Sequence, residues 1–157
     1  MIKKTDVIDF FDRCAPTWDA EMVRSDEKIN IILDNAGVHS GSRVLDVACG
    51  TGVLMPDYLS RGAASVTGID ISPEMIKLAK QKFTQDNIRF VCGDVETADV
   101  GSAFDAIVMP QATSSTSAPG QMPAASRMAS MEAVRALPSP QTKAPAPRLM
   151  CIWKLKP

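Results

Sequence analysis

Along the first 109 residues the apolar positions follow two periods in turn, one that suits helices and one that suits strands covered on both faces. Ile29, Ile32, Leu33 and Ala36 recur at helical spacing behind Ser25-Asp26-Glu27, a capping hydroxyl with acids at the positive end of the dipole, and Gly37 closes the run. Met75, Ile76, Ala79 and Phe83 form a second stripe behind Ser72-Pro73-Glu74, with Lys77, Lys80, Gln81 and Lys82 on the polar side. A shorter helix is predicted from a Thr5 cap through Cys14, stopped by Ala15-Pro16, and another from Val53 to Ser60, ended by Gly62. Between the helices lie the runs Val44–Val47, Ser65–Asp70, Ile88–Cys92 and Phe104–Met109, which read as strands. Strands alternating with helices predict an α/β fold built on a parallel sheet.

Past Met109 the pattern stops. From Pro110 to Arg148, 25 of 39 residues are Ala, Ser, Thr or Pro, with no Ile, no aromatic residue and one Leu, a composition that cannot supply a core segment. Pro123–Leu137 offers one Ala-rich helix at most, and Pro138–Pro147 reads as a linker. Arg148–Trp153 looks like a fifth strand, expected to dock so that the fourth is not left as an exposed apolar edge. The chain therefore divides into helices over 1–40, comprising a lid and a first packing helix, and a binding core over 41–109. A low-complexity segment over 110–147, with little to order it, and a last strand within 148–157 follow. Charge divides at the same place: 17 acids face 11 bases through Met109, and one acid faces six bases afterwards, although the 157 residues together carry −1.

The chemistry concentrates in Val44-Leu45-Asp46-Val47-Ala48-Cys49-Gly50-Thr51-Gly52, an apolar strand turning sharply into a helix. Gly50 and Gly52 supply a bend with unusual dihedrals and no Cβ to hold a ligand away, and Ala48 and Cys49 keep the slot wide. A dinucleotide turn would carry a third glycine where Met55 stands, and the acid four residues ahead of Gly50 suits a cationic or hydroxyl-rich ligand better than a diphosphate. Asp70, 20 residues after Gly50 at a strand's carboxyl end, either accepts both hydrogen bonds of a ribose diol or begins a turn, and Ile71 and Met75 lie where an adenine would touch.

The nonapeptide resembles motif I of the class I S-adenosylmethionine-dependent methyltransferases. The run Phe11-Asp12-Arg13 through Ala15-Pro16-Thr17-Trp18-Asp19 is similar to the leader of the ubiquinone and menaquinone C-methyltransferases. The resemblance implies a Rossmann-like sheet of order 3-2-1-4-5 with helices on both faces, lacking the last strands of the family's seven-stranded sheet. It further implies S-adenosylmethionine as cofactor, with Asp46 near the methionine moiety and the Gly50-Thr51-Gly52 bend against the adenosine. Asp94 then matches the residue that bonds the adenine amino group, with Val95 offering its amide to the ring, although an Asp-led turn is the plainer reading of that segment. Phe104–Met109 resembles the strand beside the first, which places Met109 along the same crevice.

The acceptor is expected to be a small organic molecule. The Asn/Asp-Pro-Pro-aromatic motif of nucleic-acid amino methylation is replaced by Met109-Pro110-Gln111-Ala112, there is no Pro-Cys nucleophile, and the core is acidic, so a nucleic-acid partner is not expected. No catalytic residue is implied, since methyl transfer needs no obligatory base. Phe11, Trp18 and Tyr58 are available to line an acceptor pocket, with Trp18 serving as either a packing anchor or part of a lid. Cys14, Cys49, Cys92 and Cys151 form no Cys-x-x-Cys pair, so a metal site is not expected and the thiols read as reduced and structural. His39, the only histidine, falls at the amino end of the sheet, away from the ligand edge. No apolar run is long enough for a membrane span and the first residues mix Lys with Asp, which implies a cytoplasmic protein. A cofactor-binding but inactive fragment is the alternative, and an NAD-dependent oxidoreductase the remote one.

Overall fold

A computed structural model describes residues 3–109 with their side chains and the backbone of 148–151. The expected helix over 123–137, the linker over 138–147 and the last residues of the expected fifth strand lie outside the described residues.

Five parallel strands form one sheet in the order β3-β2-β1-β4-β5: β1 (Arg43–Val47), β2 (Ser65–Asp70), β3 (Ile88–Cys92), β4 (Ala106–Met109) and β5 (Arg148–Cys151). β5 docks beside β4 in parallel, with Ala106 opposite Arg148 and Met109 opposite Cys151. The order reverses beside β1, and the carboxyl ends of β1 and its neighbours form the rim where open α/β sheets take ligands. Among the described residues α3 (Asp26–Ala36), α4 (Met55–Ser60) and α5 (Pro73–Lys82) share one core with Val44, Val66, Ala106 and Val108 on one face of the sheet. Leu45, Val47, Ile69, Ile107 and Met109 point to the other face, where Val95, Ala98, Val100 and Phe104 cover them. Alternation along β1 therefore sends Asp46 to the helix side together with Val44, opposite Gly68 on β2 and Val108 on β4.

Two helices start where their sequence signals put them. The Ser25 hydroxyl accepts from the Lys28 amide and Gly37 ends α3 at φ +73°. The Ser72 hydroxyl accepts from the Met75 amide at 3.1 Å with Pro73 at the first helical position. Two others are displaced. α1 spans Lys4–Cys14, so Thr5 is inside it; Asp6 caps instead, accepting from the Lys3 amide at 2.9 Å. α4 begins at Met55 rather than Val53, because residues 51–54 are consumed by the turns that bring the chain out of the glycine bend. A 3-10 turn over Ala15–Thr17 joins α1 to a single-turn α2 (Trp18–Glu21), and this first helical layer runs along the rim.

Candidate functional site

Beyond β1 the backbone enters the left-handed region three times within five residues, at Ala48 (φ +58°), Gly50 (φ +56°) and Gly52 (φ +81°). Two of those positions are glycine, which tolerates the region; Ala48 bears strain of about 1–2 kcal/mol. Gly68 across the sheet is required for a different reason: a Cβ there would lie 2.9 Å from Cys49 Sγ and 3.0 Å from Met55 Cε. The bare strand at Gly68 is what lets the bend sit down on β2.

Asp46 is wholly buried in this bend, and neither carboxylate oxygen has a hydrogen-bond partner among the described residues. Burial, and then the neighbouring Asp70, push its carboxyl well above the ordinary carboxylate range; the adjacent Tyr58 hydroxyl opposes this without compensating it. Tyr58 is itself fully buried, its hydroxyl making no hydrogen bond that meets normal geometry, and burial drives its phenol well above the usual value. Tyr58 thus belongs to the core and lines no open acceptor pocket, a correction to its sequence assignment, because α4 is six residues long and turns that position inward.

Asp70 is 9% exposed, and its two oxygens accept from the backbone amides of Gly50 at 2.8 Å and Ser72 at 2.9 Å. It ties the first loop to the second, and its carboxyl is raised by burial against the opposing pull of those amides. The Asp70 carbonyl accepts from Gly93, which brings the third strand's exit to the same rim. Asp94 follows, half-buried, accepting from the Glu96 amide at 3.0 Å and from the Lys4 ammonium. Burial would raise this carboxyl, but the Lys4 bond and the amide outweigh it and hold it below its ordinary value.

The sequence-predicted site residues divide accordingly. Ala48, Cys49, Gly50, Thr51 and Gly52 form the bend, with Asp46 beneath it and Asp70 bonded to it. Ile71 and Val95 are partly exposed near the rim, the Val95 side chain packing toward the second face. Met75 and Met109 are each 1% exposed, so neither offers side-chain surface in this state. His39 Nδ1 lies 2.8 Å from the Ser40 carbonyl at the opposite end of the sheet. No cluster of metal-ligating side chains occurs among the described residues.

Sequence reasoning missed how the first helical layer engages this rim. Trp18 Nε1 lies 3.6 Å from where a Cβ on Gly50 would stand, and its ring meets Phe11 edge-on at 5.8 Å. Asp19 accepts from the Thr51 hydroxyl and pairs with Lys82 at 2.6 Å, while Asp12 accepts from the Ser72 hydroxyl at 2.5 Å and the Glu74 amide at 3.3 Å. Lys4 donates to Asp94 and, at 2.8 Å, to Glu96. Part of the signal was present: Lys4, Phe11 and Asp12 fall on one side of α1 by their spacing, but the 3-10 turn over Ala15–Thr17 breaks the register before Trp18 and Asp19.

Among known proteins, the malonyl-acyl-carrier-protein O-methyltransferase of Acetivibrio thermocellus is 37% identical over 111 residues, 69% of this chain and 39% of that protein. The demethylmenaquinone methyltransferase of Tropheryma whipplei is 43% identical over 76 residues, covering 46% of this chain and 30% of that one. The ribosomal protein L11 methyltransferase of Laribacter hongkongensis is 34% identical over 74 residues, covering 47% and 25%. The chain thus spans well under half the length of these relatives. Among solved structures the SpnF cyclase superposes with a TM-score of 0.56 at 20% identity, covering 68% of this chain and 48% of that one, a likeness of fold alone. The model of the family described as the methyltransferase domain matches residues 44–132, more than half of this sequence, from β1 through the bend and beyond β4; the chain belongs to that family, among the class I S-adenosylmethionine-dependent methyltransferases.

Proposed function

We propose that this chain binds S-adenosylmethionine and catalyses transfer of its methyl group to a small organic acceptor, not a nucleic acid. The observation that carries the reading is Asp46: a wholly buried carboxyl group with no hydrogen-bond partner among the described residues, beneath the glycine bend. Burial disfavours the ionised form of this carboxyl, and a ligand bearing positive charge or donors would offset that cost. The residues present fit that cofactor. Asp46, Gly50 and Gly52 would hold its methionine and ribose side, Asp70 the ribose diol, and Asp94 with the Val95 amide the adenine. When bound, the cofactor supplies an activated methyl group on a sulfonium. The chain's own task is to orient donor and acceptor and to exclude water, which is where most of the protein's contribution to such a displacement resides. Trp18, whose indole reaches Gly50 and meets the Phe11 ring edge-on, would cover the reacting end. No side chain is assigned as a general base.

Two of the relatives are named for acceptors outside nucleic acid and macromolecular RNA, a malonyl-acyl-carrier protein and a demethylmenaquinone, which supports beginning with carboxylates and quinols. Calorimetric titration with S-adenosylmethionine, S-adenosylhomocysteine and NAD tests the cofactor; binding of NAD alone would overturn it. Assays over carboxylate esters-to-be, quinols, phenols and thiols then test turnover. A second reading, cofactor binding without turnover, is favoured by the composition break at Pro110, and tight binding with no product from any acceptor would establish it.

A further inference from the structure

Lys4 and Asp94 are 90 residues apart in sequence, yet the ammonium of one donates to the carboxylate of the other and, at 2.8 Å, to Glu96 two residues further on. The same helical layer touches the second loop through Asp12 on Ser72 and the first through Asp19 on Thr51 and Trp18 on Gly50. Each of the three loops at the carboxyl edge is therefore held by a side chain from residues 4–19. These contacts fill hydrogen-bonding positions at the rim with groups of the chain itself.

The geometry points to a latch: Lys4 donates to the carboxylate that the adenine amino group of an adenosyl ligand would use, so ligand entry requires Lys4 to release Asp94 while keeping Glu96. The inference rests on Asp94 being the adenine acceptor. Donor competes with donor. Both donors meet an ionised acceptor, but the ammonium adds an ion-pair attraction that the neutral adenine amine lacks, so the ligand is at a disadvantage until Lys4 moves. Glu96 gives the ammonium somewhere to remain, so α1 stays docked through Asp12 and α2 through Asp19 while the rim is vacated by one side chain. Lys4 is 60% exposed, so the competition is modest and is screened by salt.

The test uses the full chain, its Lys4→Met variant and 5′-methylthioadenosine, an uncharged adenosyl probe whose own binding carries no ionic-strength dependence. Calorimetry is expected to show the variant binding about two- to fivefold more tightly at low salt, the range an exposed ion pair commands. The wild-type affinity rises with salt and the gap between the two proteins narrows toward about 1 M, where the Debye length has fallen to about 3 Å, the scale of the contact itself. Equal affinities at low salt, weaker binding by the variant, or a wild-type affinity indifferent to salt would each overturn the latch while leaving the adenosyl site standing. Failure of both proteins to bind either 5′-methylthioadenosine or S-adenosylhomocysteine would instead remove the adenosyl reading, and the latch with it.

Discussion

Replacing Asp46 by Asn keeps the shape of the side chain and removes a titration. In the native state the Asp46 carboxyl is raised well above 3.8, first by complete burial and then by Asp70, and neither oxygen has a hydrogen-bond partner among the described residues. The native state therefore holds a proton that the unfolded chain has already released, and by linkage stability falls as pH rises between the unfolded and native values. One such proton is worth about 1.4 kcal/mol per pH unit over the window from the unfolded value up to the raised native one, a loss that Asp46→Asn does not suffer. The neutral acid and the amide carry similar costs as buried polar groups without partners, so the two proteins converge as pH falls below the ordinary value of 3.8. Other titrating groups are shared and cancel in the difference; Cys49 and Tyr58, which face Asp46 and are both raised, do not ionise in this range. Urea denaturation of both proteins across the range measures the effect. A difference that is flat with pH, or a variant less stable than wild type near neutrality, refutes the reasoning. The same variant is expected to lose about thirtyfold or more in affinity for S-adenosylmethionine, because the amide cannot ionise against a bound cation as the carboxyl can.

Ala48→Gly relieves a left-handed alanine at φ +58°, less the entropy that glycine adds to the unfolded chain, and is expected to stabilise by about 0.5–1 kcal/mol in the same assay. Gly52→Ala does the reverse: at φ +81° its Cβ would stand 2.9 Å from Phe83 Cε2 and 3.2 Å from Met55 Cγ, for a loss of at least about 2 kcal/mol, and an unchanged midpoint would contradict the geometry. Alkylation of the native protein followed by mass spectrometry should label Cys92, which is exposed, and spare Cys49, which is buried with its thiol pushed well above the ordinary value; Cys49 labels only with denaturant.

Where the sequence carried local signals with a physical cause, the fold could be read from it. Ser25 and Ser72 cap their helices, Gly37 ends one, and β2 and β3 run over the residues that their apolar runs marked. The convergence of Asp70 on the bend was legible from spacing, since a strand's carboxyl end 20 residues beyond Gly50 has one rim to reach. Three features were not. Asp6 outcompetes Thr5 as a cap because it reaches back to an amide before the helix, a choice that side-chain preference does not rank. Tyr58 looked available because an aromatic residue in a short amphipathic helix can face either way, and only the sheet beneath α4 decides. Lys4 on Asp94 joins residues with 90 positions between them, and no local pattern encodes such a pair.

Apart from Ala103, left-handed at φ +64°, the departures from local rules are not scattered. α3 and α5 satisfy their caps, their stripes and their termini, and the sheet alternates as it should. A left-handed alanine, an orphaned carboxylate and a buried phenol without a proper partner all fall within the thirteen positions from Asp46 to Tyr58, as local conflicts at functional sites tend to do. A bend built only for stability would place Gly at 48 and an apolar residue or Asn at 46. That this chain keeps Ala48 and Asp46 together above Gly68, with Asp70 bonded to the Gly50 amide, is consistent with a site whose remaining electrostatic balance is completed by a bound cation rather than by the fold.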